Sequence, residues 1–107
     1  MTSREMLIHK ELSKLIYYIP AHEVTHAANE IIKADDKEQA VLDMTTYLHR
    51  FDKEYIPMQT VRTKPITDNS VRLIMADVRK VLSMQSDDLE DLFEKEFPDE
   101  EFVDDTV

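Results

Sequence analysis

Residues 2–20, TSREMLIHKELSKLIYYIP, contain both the start signal and the stop signal of a helix. Thr2 and Glu5 have the spacing of a capping box, in which each side chain accepts a hydrogen bond from the other residue's backbone, and Pro20 ends the segment. Between them, apolar residues recur every three or four positions, which indicates one buried face. This predicted face consists of Ile8, Leu12, Leu15, Ile16 and Ile19. The chain therefore begins with a helix that has to pack against others.

Three further segments have the same apolar periodicity. The second runs from Pro20 to about Lys33, Asp36 caps a third, and a fourth begins after Thr67 or Asp68. Their predicted core residues are Val24, Ala28, Ile31 and Ile32 in the second, Val41, Met44, Leu48 and Phe51 in the third, and Val71, Ile74, Met75, Val78, Val81 and Leu82 in the fourth. These stripes indicate helices that share one hydrophobic core.

The composition favours an all-α fold. The 107 residues include no glycine and no cysteine, which excludes glycine-rich phosphate loops, Asn-Gly hairpins, disulfides and thiolate metal sites. Residues 55–66 have β-branched residues between two prolines and no helical stripe, so they are predicted to be extended. We predict a small helical bundle of about four to five helices over residues 1–85, followed by an acidic segment over residues 86–107.

The net charge of the chain is concentrated at its C-terminal end. The formal charge is -10, yet the first 85 residues hold twelve acidic and twelve basic residues. Residues 86–107 hold eleven acidic residues and one base, Lys95. A short helix from about Asp87 to Phe97 is expected here, because acidic residues stabilise a first helical turn, and a disordered tail is expected after Pro98. Such a segregated charge suggests a segment that meets a positive surface or solvent.

The acidic segment is the predicted binding element. We expect a regulatory or adaptor protein that binds a basic surface of a partner protein, as a nucleic-acid mimic or inhibitor in one form of the hypothesis. The predicted partner-binding residues are Asp87, Asp88, Leu89, Glu90, Asp91, Leu92, Phe93, Glu94, Phe97 and Phe102. The alternative is that Leu89, Leu92 and Phe93 pack on the bundle, while the carboxylates form a solvated face.

A second hypothesis is a nucleic-acid-binding helical module with an autoinhibitory acidic tail. The basic residues that would contact phosphate are Arg62, Lys64, Arg72, Arg79 and Lys80. The two hypotheses differ in what removing residues 86–107 does. Removal should abolish partner capture under the first hypothesis and strengthen nucleic-acid binding under the second.

A third hypothesis comes from the string HEVTH at residues 22–26, which resembles the zinc-binding signature of zincin metallopeptidases. The resemblance implies a zinc hydrolase in which His22 and His26 bind zinc and Glu23 polarises the bound water. It covers five residues, and the longer metzincin pattern fails because Asn29 and Ile32 occupy its glycine and third histidine positions. Because the apolar residues of this helix leave both histidines on its polar side, we expect solvated histidines, no metal, no cofactor and no enzymatic activity.

Location and oligomeric state follow from weaker signals. No apolar stretch approaches the roughly 18 to 20 residues of a membrane span, and the N-terminus lacks the apolar core of a secretion signal, so a soluble cytoplasmic protein is expected. A homodimer stays open, because the stripe of the third helix fits a dimer seam as well as a bundle core.

Overall fold

The computed structural model describes residues 2–49 and 70–103, and every regular element within these ranges is helical. The elements are α1 (Ser3–Ser13), a 3-10 turn (Lys14–Tyr17), α2 (Ala21–Lys33), α3 (Lys37–Leu48), α4 (Ser70–Ser83) and α5 (Ser86–Glu96). The predicted all-α bundle is confirmed, while the predicted extended segment at 55–66 lies outside the described residues. None of the helices in the two described ranges has both the length and the apolar character to cross a membrane.

The first helix lies at the centre of the bundle. It contacts α2, α4 and α5, while α3 packs against α2 and α4. The fully or nearly fully buried apolar side chains are Leu7, Ile8, Leu12, Leu15, Ile19, Ala27, Ala28, Ile31, Val41, Met44, Leu48, Val71, Ile74, Met75, Val78, Val81, Leu89 and Phe93. The last two belong to α5, so the acidic helix contributes to the same core as the rest of the chain.

The predicted core face of the first helix is wrong at one position. Ile16 is 39% exposed, although its spacing from Leu12 placed it on the buried stripe. The α-helix ends at Ser13, and the following 3-10 turn has about three residues per turn, so side chains after Ser13 do not continue the α-helical stripe. Leu15 and Ile19 stay buried, and Leu7, which the predicted stripe omitted, is buried as well.

The two predicted side-chain caps that lie within the described residues, Thr2 and Asp36, are both confirmed. The backbone N–H of Glu5 donates to Thr2 Oγ1 at 3.2 Å, and that of Thr2 donates to Glu5 Oε1 at 3.0 Å. This hydrogen bond from the Thr2 backbone holds the pKa of the Glu5 carboxyl below its usual value. Asp36 caps α3, with Oδ1 accepting from the backbone N–H of Gln39 at 3.0 Å.

Arg4 joins the start of α1 to the end of α4. Its Nη1 atom donates to the carbonyl oxygens of Val81 at 2.7 Å, Leu82 at 3.1 Å and Met84 at 3.1 Å. The last carbonyls of a helix have no partner within the helix, and a cation is favoured at that end of the helix dipole. A single guanidinium therefore supplies a charged donor to three carbonyls at this end of α4, of which that of Val81 also accepts from the Met84 N–H at 3.3 Å, and ties two helices together.

We expect replacement of Arg4 by methionine, which keeps much of the aliphatic stem, to lower the free energy of unfolding by about 1.5–3 kcal/mol. The half-buried carbonyls at the end of α4 would lose a charged donor. The control is Lys14→Met, which removes an exposed ion pair with Glu11 at 3.0 Å and should cost less than about 1 kcal/mol. Urea unfolding followed by circular dichroism measures both, and equal losses would contradict this role of Arg4.

The chain turns back over α1 after α5 ends. The backbone N–H of Val103 donates to the Oγ of Ser3 at 2.6 Å, and the Ser3 N–H donates to the Val103 carbonyl at 3.3 Å. The ring of Phe102 lies 5.9 Å from that of Phe93, edge to face. In place of the disordered tail predicted after Pro98, the structure shows a segment held against α1 as far as Val103. Residues 104–107 lie outside the described residues.

Candidate functional site

The apolar side of the acidic segment faces the protein's own bundle. Leu89 and Phe93 are completely buried, and Leu92, Phe97 and Phe102 are partly buried against the same core. The ring centroids of Phe93 and Phe97 lie 5.1 Å apart. These are the apolar members of the predicted partner-binding set. Leu89, Leu92 and Phe93 are placed as in the alternative in which they pack on the bundle, and Phe97 and Phe102, which that alternative did not include, pack there as well.

The carboxylates of the segment lie on its outer side. Eight acidic residues of the segment are exposed, and none of the eight forms an ion pair within the described parts of the chain. They are Asp87, Asp88, Glu90, Asp91, Glu94, Asp99, Glu100 and Glu101. We call this set the acidic face. It includes every acidic residue of the predicted partner-binding set and adds the three of the turn after α5.

Lys10 fastens the end of α5 to α1. Its Nζ lies 2.7 Å from Glu96 Oε2, donates to the Glu96 backbone carbonyl at 3.2 Å, and lies 5.1 Å from the centroid of the Phe97 ring. The hydrogen bond from Lys10 lowers the pKa of the Glu96 carboxyl from its ordinary value of 4.5. Lys10 therefore pairs with Glu96, which is not part of the acidic face, and does not neutralise any carboxylate of that face.

We expect the contribution of this ion pair to stability to depend on pH. Because the folded-state pKa of Glu96 is depressed, the stabilisation is present above pH 4.5 and is lost as the pH falls through the lower folded-state value. The stability gap between wild type and Lys10→Met should therefore narrow in acid. Urea unfolding at a series of pH values measures it.

Lys80→Met is the matched control, since Lys80 is exposed and has no ion pair within the described ranges. The difference in free energy of unfolding between Lys80→Met and wild type should depend on pH less than the difference between Lys10→Met and wild type. A Lys10→Met gap that stays constant from neutral pH into acid would show that the pair does not stabilise the fold through the Glu96 charge.

His22 and Glu23 of the HEVTH string lie against each other at the start of α2, with His22 Nε2 3.5 Å from Glu23 Oε1. The side chain of His22 is 79% exposed and His26 is also exposed, whereas the Glu23 side chain is only 13% exposed. Glu23 Oε1 accepts a hydrogen bond from the Tyr47 hydroxyl at 3.3 Å, and the His26 ring lies edge-on to the Tyr47 ring with centroids 6.1 Å apart. In the described ranges no three His, Asp or Glu side chains are grouped so that they could hold a metal ion.

Three of the five basic residues considered for nucleic-acid binding lie exposed on α4. These are Arg72, Arg79 and Lys80, of which the two arginines are seven positions apart and so share a helix face. The other two, Arg62 and Lys64, lie outside the described residues. Three cations on one helix form a small positive patch, compared with the 6–10 phosphate contacts of a typical duplex-binding protein.

Sequence reasoning did not single out the residues that hold the acidic segment in place. Ser3 and Lys10 contact residues 100 and 86 positions away, and no local pattern shows such pairs. Arg4 does have a signal, because a cation in the first turn of a helix is disfavoured by the dipole and so suggests a tertiary partner.

The described surface thus offers one large negative face, one small positive face and an exposed histidine pair. Comparison with models of protein families, with curated proteins and with solved structures finds no match to this chain.

Proposed function

We propose that this protein is a small regulatory or adaptor protein that binds a basic surface of a partner protein through its acidic face. The observation that supports this function best is the combination of exposure and lack of partners. Eight carboxylates point outward from one segment, without an ion pair in the described ranges, although the rest of the chain is neutral. Keeping like charges together destabilises the compact state, so a binding role is the simplest reason for their clustering.

The acidic face is presented on a preorganised support. Leu89 and Phe93 anchor α5 in the core, Lys10 holds its C-terminal end, and the Ser3–Val103 hydrogen bonds hold the segment that follows. Binding to a preordered helix costs less conformational entropy than binding to a flexible tail, because the tail would have to become ordered in the complex. Complementary charge also steers the encounter and suppresses wrong partners.

The proposed contact is made by carboxylates, and the buried apolar residues of α5 stay in the core. Releasing Phe93 or Leu89 to a partner would cost the core several kcal/mol for each side chain, judging by large-to-small core substitutions. Exposed carboxylates need no such rearrangement. In one form of this proposal the partner's basic surface is one that otherwise holds nucleic acid, since spaced carboxylates offer it the same sign of charge as phosphates.

Deleting residues 86–107 is a poor test of this function, because the deletion also removes Leu89 and Phe93 from the core. Charge-only variants of the full chain avoid that problem. The acid variant carries Glu90→Gln, Asp91→Asn, Glu94→Gln and Glu101→Gln. The control variant carries Asp35→Asn, Glu38→Gln, Asp43→Asn and Asp77→Asn, all exposed positions outside the acidic segment.

The two variants have the same net charge, so they separate a local face from overall charge. The probe is a flexible lysine–serine peptide, which offers positive charge and no apolar side chain. We expect the acid variant to bind this peptide more weakly than the control variant does. Equal binding by both variants would refute a role for the acidic face.

A further inference from the structure

An open groove lies on α1 beside the acidic segment. It has a volume of about 600 Å³ and is lined by Met6, His9, Lys10, Ser13 and Phe97. Four of these residues come from α1, and Phe97 begins the segment that turns back after α5. The volume lies within the roughly 300–1,000 Å³ that ligand sites usually have.

A second depression continues the groove across α1. It has a volume of about 170 Å³ and is lined by residues of α1 and α2, namely His9, Leu12, Ser13, Val24, Thr25, Ala28 and Asn29. His9 and Ser13 line both depressions, so together they form one track from Phe97 over α1 to α2. Within this track the residues that lie deepest are apolar, since Leu12 and Ala28 are buried and Val24 is partly buried.

The side of the groove at Phe97 is negatively charged. The backbone N–H of Glu100 donates to the Phe97 carbonyl at 3.1 Å, which closes a turn directly at the groove. Asp99, Glu100 and Glu101 are all exposed on this turn and belong to the acidic face. Lys10, which lines the groove, is already paired with Glu96. An apolar floor therefore adjoins a negative rim.

We propose that the groove receives apolar side chains of a basic amphipathic helix of the partner, while lysines or arginines of that helix pair with the carboxylates of the turn. This inference rests on the proposed function and specifies the partner's chemistry. Amphipathic helices commonly bind by placing an apolar stripe in a groove and charged residues at its edge. Charge complementarity selects a cationic helix, since a neutral or acidic one would leave the rim uncompensated.

A second copy of the chain is a poorer occupant on the same grounds. Each copy carries a formal charge of -10, so two copies repel one another, and the repulsion is strongest between their acidic faces. Self-association through the groove would bring those faces together.

The test compares two peptides of the same length and lysine positions. One is an amphipathic leucine–lysine helix, and in the other every leucine is replaced by serine, as in the lysine–serine probe. We expect the leucine–lysine peptide to bind the full-length protein at least about tenfold more tightly, because one or more of its leucine side chains move from water into the groove. The Met6 methyl and His9 ring signals in NMR spectra should shift with this peptide.

A matched pair of variants tests whether the tighter binding of the leucine–lysine peptide arises in the groove. Ser13 and Ser83 each end a helix, are exposed, and donate their Oγ to the carbonyl three residues earlier, at 2.6 Å and 3.1 Å. Ser13→Trp fills the groove and should remove the advantage of the leucine–lysine peptide. Ser83→Trp lies outside the groove and should keep it. Neither substitution should change binding of the lysine–serine peptide.

The outcomes separate this inference from the function on which it rests. If both peptides bind equally well, or if Ser13→Trp keeps the leucine advantage, the groove does not receive apolar side chains although the acidic face binds cations. If neither peptide binds at low ionic strength, the proposed function and the groove inference both fail. Unchanged Met6 and His9 signals on binding of the leucine–lysine peptide to wild type would also overturn the groove inference, without depending on any variant.

Discussion

Replacing Phe93 with alanine will lower the free energy of unfolding by about 3–5 kcal/mol. The ring is completely buried and packs against those of Phe97 and Phe102, so truncation leaves a cavity where α5 meets α1. Domains of this size are stable by only about 5–15 kcal/mol, so the loss is a large part of the total. Urea unfolding monitored by circular dichroism measures the change.

A matched pair of leucines provides the control. Leu89 on α5 is completely buried, whereas Leu73 on α4 is 62% exposed. We expect Leu89→Ala to cost about 2–5 kcal/mol and Leu73→Ala to stay within about 0.5 kcal/mol of wild type. Should all three substitutions have equally small effects, α5 would not be docked in solution, and its apolar side would be available to a partner after all.

Neutralising four carboxylates of the acidic face will weaken binding of the lysine–serine peptide by about fivefold or more. An exposed ion pair contributes about 0.2–1 kcal/mol, and four such contacts together reach about 1–4 kcal/mol. The acid variant should nevertheless be at least as stable as wild type, because none of the four residues has an ion pair in the described ranges and they repel one another.

The control variant should bind the peptide within about threefold of wild type. Its four substitutions leave every carboxylate of the acidic face in place, and salt screens the contribution of charges away from the contact. Isothermal titration calorimetry of the two variants and wild type checks both expectations. A control variant that loses as much affinity as the acid variant would mean that overall charge, and not the acidic face, attracts the peptide.

Local signals in the sequence predicted the parts of the fold that depend on local interactions. The Thr2–Glu5 capping box and the Asp36 cap are hydrogen bonds between residues three positions apart, so their residue types and spacing are enough to predict them. The periodicity of α4 predicted six core residues, of which Leu82 is only partly buried and the other five are buried, namely Val71, Ile74, Met75, Val78 and Val81.

The parts that sequence reasoning missed depend on contacts between distant residues. A disordered tail was predicted after Pro98 because acidic, proline-terminated segments bury little apolar surface by themselves. In the structure this segment is held by two tertiary contacts. The Phe102 ring packs against that of Phe93, and Val103 is hydrogen-bonded to Ser3, 100 positions away. Similarly, the spacing of Leu89 and Phe93 is the same whether their partner is another protein or α1, so the pattern could not distinguish the two.

The groove on α1 is another feature that the sequence did not predict. Met6, His9 and Ser13 share a face of α1, but only the return of Phe97 to that face turns it into a groove. The sequence shows His9 as an isolated histidine, and nothing near it in the chain indicates a wall. Sites of this kind require the tertiary structure, because their walls come from opposite ends of the chain.

The salt dependence of lysine–serine peptide binding is the sharpest test of whether the acidic face makes the contact. Affinity is measured for wild type, the acid variant and the control variant from low to moderate ionic strength. If the acidic face makes the contact, wild type and the control variant lose affinity steeply and in parallel as the salt concentration rises. The acid variant binds more weakly at low ionic strength, and its affinity changes less with salt. Superimposable curves for the acid and control variants at every ionic strength would contradict the claim that this one face makes the contact.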